Sequence, residues 1–175
     1  MVVLRKAVAG LSEAALNRFA RRAVRAVGLL GQANILVTTN REMKSLNLRF
    51  RSRNAPTDVL SFPPGSELPT RDVGDIAISA EMAAKNGKRL GHSAAEEVKI
   101  LTLHGLLHLA GYDHEHDNGR MARREQQLRI QLGLRSGLIE RNIVNRPRVQ
   151  RRGKRVWAAI RTALPSKPKP VRRKR

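Results

Sequence analysis

The stretch Ser93–His114, SAAEEVKILTLHGLLHLAGYDH, decides how the rest of the chain must be arranged. Ser93 with Glu96 three residues later has the form of a capping box, which predicts a helix start. Val98, Ile100, Leu101, Leu103, Leu106, Leu107 and Leu109 then cover more than one helical face, so this helix is expected to be central and buried. Gly111 is the expected stop. His104 and His108 are four residues apart, so their imidazoles share one face about a turn apart and can meet at one metal ion. His114 follows beyond Gly111, where a glycine-permitted turn lets the chain deliver a third nitrogen and leave a fourth tetrahedral position open.

The 175-residue sequence has no cysteine, which leaves His and carboxylates as metal ligands and is expected of a reducing, cytoplasmic setting. Three neutral imidazoles favour zinc, one ion per chain, over magnesium or calcium; nickel, cobalt and copper stay open by ligand type. The H-x3-H-x5-H spacing matches the ligands of metzincin proteases. Those proteases carry a Glu general base directly after the first His, however, and here that position is Gly105. Asp113 either orients an imidazole or is a turn residue. His116 falls outside the spacing, and His92 reads as a solvated turn residue. If the zinc were structural, a closed site would need a fourth ligand such as His116 or Asp113.

Working outward, Glu81–Gly91 reads as a short helix and Val73–Ala80 as a strand before it. Thr57–Phe62 is a second strand, preceded by Pro56 and broken by Pro63, Pro64 and Gly65. Ala33–Thr39 is a third, and Asn40 is the expected cap of the helix Arg41–Phe50. From Ser12 to Leu30, Leu16, Phe19, Ala20, Ala23, Val24 and Val27 lie at helical spacing, with Arg18, Arg21, Arg22 and Arg25 on the remaining surface. Downstream, a helix is expected from about Arg120 to Leu132, closed by Gly133.

The net charge is +21, and residues 145 to 175 hold 13 Lys and Arg and no acid. Such a field attracts polyanions, nucleic acid first. The boundaries that follow are a domain over 1–144 and a basic, Pro-rich tail over 145–175, expected to be disordered. In that tail Arg151, Arg152, Lys154 and Arg155 beside Trp157 offer phosphate neutralisation and one stacking surface, either as an RNA or ribosome tether or simply as a solvated tail. No apolar run reaches the roughly 18 residues that span a bilayer, and Arg5 and Lys6 interrupt the opening too early for a signal-peptide core, so no membrane partner is expected.

HGLLHLAGYDH (His104 to His114) resembles the signature of the YbeY family of endoribonucleases. Leu46-Asn47, Phe50-Arg51, PTDVLSFP (Pro56 to Pro63), GDIAIS (Gly74 to Ser79) and the sequence around Met121 occur in the order that family shows, over about residues 35 to 132. The resemblance implies an α+β fold: a small mixed β-sheet of about four strands packed with about five helices, the metal site at the end of the central helix. Many members show a leading strand where this amino terminus reads as an Arg-rich helix. The implied activity is single-strand-specific, metal-dependent cleavage of RNA in processing the 3′ end of small-subunit ribosomal RNA and in ribosome quality control, with ribosomal RNA and ribosomal particles as partners. The resemblance also implies that Arg51 lies in the active-site cleft, where a guanidinium would pair with a phosphate. Thr57, Asp58 and Asp75 are expected to serve sheet geometry. The competing classes are a metallopeptidase, which lacks its base here, and a non-enzymatic, zinc-containing RNA-binding assembly factor.

Overall fold

A computed structural model describes residues 1–65, 72–113 and 117–134. The elements run β1 (Val2–Leu4), α1 (Glu13–Val27), β2 (Gln32–Thr38), α2 (Asn40–Arg51), β3 (Val59–Phe62), β4 (Asp72–Ser79), α3 (Ala80–Leu90), α4 (Ala94–Leu109) and α5 (Arg120–Leu132). The four strands form one mixed sheet in the order β1-β2-β4-β3. β1, β2 and β4 are parallel, and β3 pairs antiparallel with β4 at the edge. This is the α+β fold expected from the sequence.

Helices cover both faces of the sheet. Leu36, Leu60 and Ala77 point to one side, where they pack with Met43 and Leu46 of α2. Their neighbours Ile35, Val37, Val59, Ile76 and Ile78 point to the other, into the main core shared with α1, α4 and α5. Successive strand residues face opposite sides, so β2 and β4 can be apolar almost throughout and satisfy both cores.

α4 is the helix the sheet is built around. Ser93 caps it, its Oγ accepting from the Glu96 amide at 3.1 Å. Leu101, Leu103, Leu106 and Leu107 are fully buried, each contributing about 2 kcal/mol of transfer free energy. At Gly105 the helix comes so near the sheet that an added Cβ would lie 2.9 Å from Ser61 Oγ and 3.0 Å from two Ile76 carbons. The residue that departs from the protease pattern is therefore a packing contact.

Two local expectations are corrected. The amino terminus does form a leading strand: β1 is only three residues long, too short to show alternation, and it is an edge strand paired with β2 alone. Its end is anchored by side chains instead, because Glu13 accepts from the Leu4 amide at 2.8 Å and Arg5 pairs with Glu42 of α2. The cap of α2 is Thr39 rather than Asn40, since the helix begins one residue earlier. Asn40 instead accepts from the Ser79 hydroxyl at 2.6 Å, joining the start of α2 to the end of β4.

Where β2 and β4 lose register, between Gln32 and Ala33, β4 bulges at Val73 and Gly74. Gly74 has φ +133, and an added Cβ would lie 2.5 Å from the Phe62 carbonyl oxygen and 2.8 Å from a Leu109 methyl. Only glycine fits this bulge. Gly74→Ala is expected to lower stability by about 2 kcal/mol or more, combining positive-φ strain with overpacking. The reading is a lower denaturation midpoint at unchanged m-value; an unchanged midpoint would show that the bulge relaxes freely.

Candidate active site

The last two turns of α4 present His104 and His108 together. Their rings meet edge to face with centroids 4.8 Å apart at 79°, and the two Nε2 atoms are 3.1 Å apart. Each ring is held from behind through Nδ1: His104 by a Glu125 carboxylate oxygen at 2.8 Å, His108 by the Tyr112 carbonyl at 3.1 Å. A carbonyl and a carboxylate only accept, so both Nδ1 atoms carry the proton. In the neutral rings both Nε2 lone pairs then converge on one region. Two facing lone pairs at that distance repel unless a cation or proton lies between them. Their separation suits two nitrogens each about 2.0–2.1 Å from a single zinc ion, so the donor set and its tautomers fit a metal.

The Tyr112 carbonyl reaches His108 because the chain reverses immediately after the helix. Gly111 has φ +88, and its amide bonds to the His108 carbonyl while the Tyr112 amide bonds to that of Leu107, each at 3.0 Å. The glycine turn expected from the sequence is present and, beyond redirecting the chain, it sets one imidazole's orientation. His114 and His116 lie outside the described residues. Among the described residues no third His, Asp or Glu joins His104 and His108 in a metal-holding group.

Glu125 is the residue of the candidate site that the sequence reading missed. It sits on the buried face of α5 with Met121, Leu128 and Leu132, an acid at a position where helical spacing calls for an apolar residue. That intrusion was the available signal. One of its carboxylate oxygens accepts from His104 and the other pairs with Arg129. Burial of a carboxylate is tolerable when both oxygens are engaged in this way. α5 itself is fixed at its start by Asp117, whose oxygens accept from the Gly119 amide at 2.9 Å and the Met121 amide at 2.6 Å. His104 is thus oriented by a residue 21 positions away in the sequence.

Arg51 is the half-buried last residue of α2, and α2 packs on the sheet face opposite α4. The edge strand β3 has one face toward each of them. Ser61 of β3 points to the α4 side, its hydroxyl donating to the Gly105 carbonyl at 3.2 Å. Phe62 points to the α2 side, its ring 5.1 Å from that of Phe50. Arg51 and the two histidines thus belong to elements that flank the same edge of the sheet. Of the neighbouring arginines, Arg49 lies over the Phe50 ring at 5.4 Å.

Thr57, Asp58 and Asp75 make sheet connections. Asp58 accepts from the Val59 amide at 2.9 Å, and its carbonyl accepts from the Ser79 amide at 2.8 Å. Asp75 accepts from the Asn34 side chain at 3.0 Å. His92 is not the solvated residue expected: its side chain is 8% exposed and bonds through Nε2 to the fully buried Glu97 at 2.7 Å. The turn between α3 and α4 folds inward because Gly87 brings the α3 backbone against the His92 and Ser93 backbone, leaving no room for a Cβ. A depression of ≈ 410 Å³ lined by Gly87, Lys88, Gly91, His92, Ser93 and Glu96 lies there, at the end of α4 opposite the paired histidines.

Comparison with known proteins places the chain in a family. The family model described as Endoribonuclease YbeY matches residues 4–133. A protein named Endoribonuclease YbeY from Koribacter versatilis (strain Ellin345) is 47% identical over 155 residues, covering 89% of this chain and all of that one. One of the same name from Solibacter usitatus (strain Ellin6076) is 45% identical over 140 residues, 80% of this chain and 92% of its own. The solution structure of TM1509 from Thermotoga maritima superposes with a TM-score of 0.54 at 26% identity, over 75% of this chain and 89% of that one. With the family model matching most of its length and full-length relatives at nearly half identity, this chain belongs to the YbeY endoribonuclease family.

Proposed function

We propose that the protein is a zinc-dependent, single-strand-specific endoribonuclease acting in the processing of the 3′ end of small-subunit ribosomal RNA and in ribosome quality control. The observation that carries the reading is the convergence of the His104 and His108 Nε2 atoms, each ring locked in one tautomer from behind. In this reading His114 supplies the third nitrogen and one zinc ion is held per chain. Zinc, when bound, supplies Lewis-acid activation of water or of a phosphoryl oxygen.

The protein's own groups do the rest. Glu125 and the Tyr112 carbonyl keep both Nδ1 protons in place, so the Nε2 atoms stay available as donors. Arg51 pairs with the phosphate at the cleavage point and stabilises charge developing on it. Residues 1–144 form the catalytic domain and the basic 145–175 segment tethers RNA. No helix among the described residues is long and apolar enough to cross a membrane, which suits a cytoplasmic ribosomal substrate. A peptidase reading has little support, because the position of its general base is occupied by Gly105, where the helix touches the sheet.

Three measurements check this. Wild-type protein is expected to bind about one equivalent of zinc and to cleave single-stranded but not duplex RNA in a chelator-sensitive way. His114→Ala is expected to lose both properties. Equal cleavage by both proteins would trace the activity to a contaminant, and bound zinc without cleavage would favour the assembly-factor alternative. Glu125→Gln keeps the side-chain shape but weakens the hold on His104; zinc affinity is expected to fall about 10- to 100-fold, read by competition with a chromophoric chelator, and an unchanged affinity would remove Glu125 from the site. Arg51→Lys is expected to keep zinc stoichiometry while lowering kcat at least tenfold, since an ammonium cannot reproduce a bidentate phosphate contact; unchanged kcat would exclude the phosphate role.

A further inference from the structure

α1 carries Arg18, Arg21, Arg22 and Arg25, all exposed. Their spacing of i, i+3, i+4 and i+7 puts them on one face, opposite the buried Leu16, Phe19, Ala20, Ala23, Val24 and Val27. Nothing on the helix neutralises them: Glu13 is the one acid in α1, and it is occupied by the Leu4 amide. Four guanidinium groups at these intervals repel each other, so the face is favoured by an anionic partner and not by isolation. Further arginines lie on the helix that is seated against the end of α1. Arg124 of α5 donates to the Ala26 carbonyl at 3.1 Å, seating α5 against the end of α1, and Arg120 and Arg123 are exposed beside it. α5 is the helix whose Glu125 holds His104, so the basic face is built onto the support of the candidate site.

We propose that the α1–α5 arginine face docks the phosphate backbone of a double-stranded RNA segment flanking the single strand that is cut. This rests on the ribonuclease reading above and adds the kind of substrate: a single strand next to a stem. Two features select a duplex. At a rise of 1.5 Å per residue, Arg18 to Arg25 span about 10 Å, over which a duplex presents on the order of six phosphates. The stripe also has no aromatic surface on which unpaired bases would stack, since Phe19 is buried; single-strand platforms combine charge with exposed aromatics, whereas duplex RNA is held through backbone and shape.

The test uses the full chain with all four arginines changed together, R18Q/R21Q/R22Q/R25Q, and a control with R18K/R21K/R22K/R25K. The sites are exposed and Gln and Lys are good helix formers, so folding is retained and is checked by thermal melting. Binding is followed by anisotropy with two labelled RNAs, a short single strand and the same strand joined to a hairpin stem, with RNA integrity checked on gels; cleavage of each is measured separately. For the stem-bearing RNA the Gln variant is expected to lower the slope of log K against log salt by about three, at roughly 0.7–0.9 per lost phosphate contact. The Lys variant should retain the slope, and binding and cleavage of the short strand should be unchanged. Equal slopes for the Gln variant and wild type would overturn the proposal, as would equal loss on both RNAs, which would mark the stripe as general electrostatic attraction. Arginine-dependent binding to phosphatidylserine vesicles with RNA binding unchanged would overturn it in favour of a membrane surface. If wild type cleaves neither RNA while stem binding still depends on the stripe, the ribonuclease reading fails and the duplex-docking face stands.

Discussion

Everything at the candidate site depends on how closely α4 approaches the sheet at Gly105. With no Cβ at that position the helix backbone rests against Ser61 and Ile76, and the Ser61 hydroxyl closes on the Gly105 carbonyl. A side chain there would meet edge strand and central strand together. The histidines on either side of the contact are thereby held at a fixed height above the sheet, half-buried on a helix whose other faces are apolar and closely packed. Positioning of this sort comes from packing density and does not need a rigid loop.

A second constraint acts at right angles to the first. The rings must be turned as well as placed, and the fold does this with two acceptors of different origin. The Tyr112 carbonyl is local, delivered by the glycine turn four residues after His108. Glu125 is distant, delivered by a helix that follows a separate capping segment at Asp117. The acid is buried at little electrostatic penalty because Arg129, one turn further along α5, occupies its second oxygen. The site is thus the meeting of two helices and one turn, with the edge strand β3 linking it to the helix that carries Arg51.

Much of this was legible in the residues. α4 and α5 carry their own signals: a capping box, leucines on several faces, glycines beyond each end. β2, β3 and β4 read correctly to within two residues because β-branched runs are bounded by Pro, Gly or a helix cap. β1 was missed because three residues cannot display a period and an edge strand needs only one neighbour. Asn40 and Thr39 are both good caps, and local sequence cannot decide which of two adjacent cap formers lies at the boundary; the tertiary bond from Ser79 to Asn40 decides it. At the site, the His104–His108 pair follows from helix geometry alone. Its partner Glu125 does not, because a contact 21 residues away has no periodic trace except an acid in an apolar stripe. His92 was misread for the same reason: its partner Glu97 is an acid on a buried face.

The dependence of His104 on α5 also bears on the order in which the protein is made. A nascent chain emerging from its amino terminus has both histidines of α4 before it has Glu125, and α5 completes the domain's described elements. Until that last helix docks, His104 lacks the carboxylate that its Nδ1 bonds in the finished fold. Arrangement of the paired histidines is therefore coupled to completion of the fold, so a chain that stops before α5 does not carry the candidate site as described.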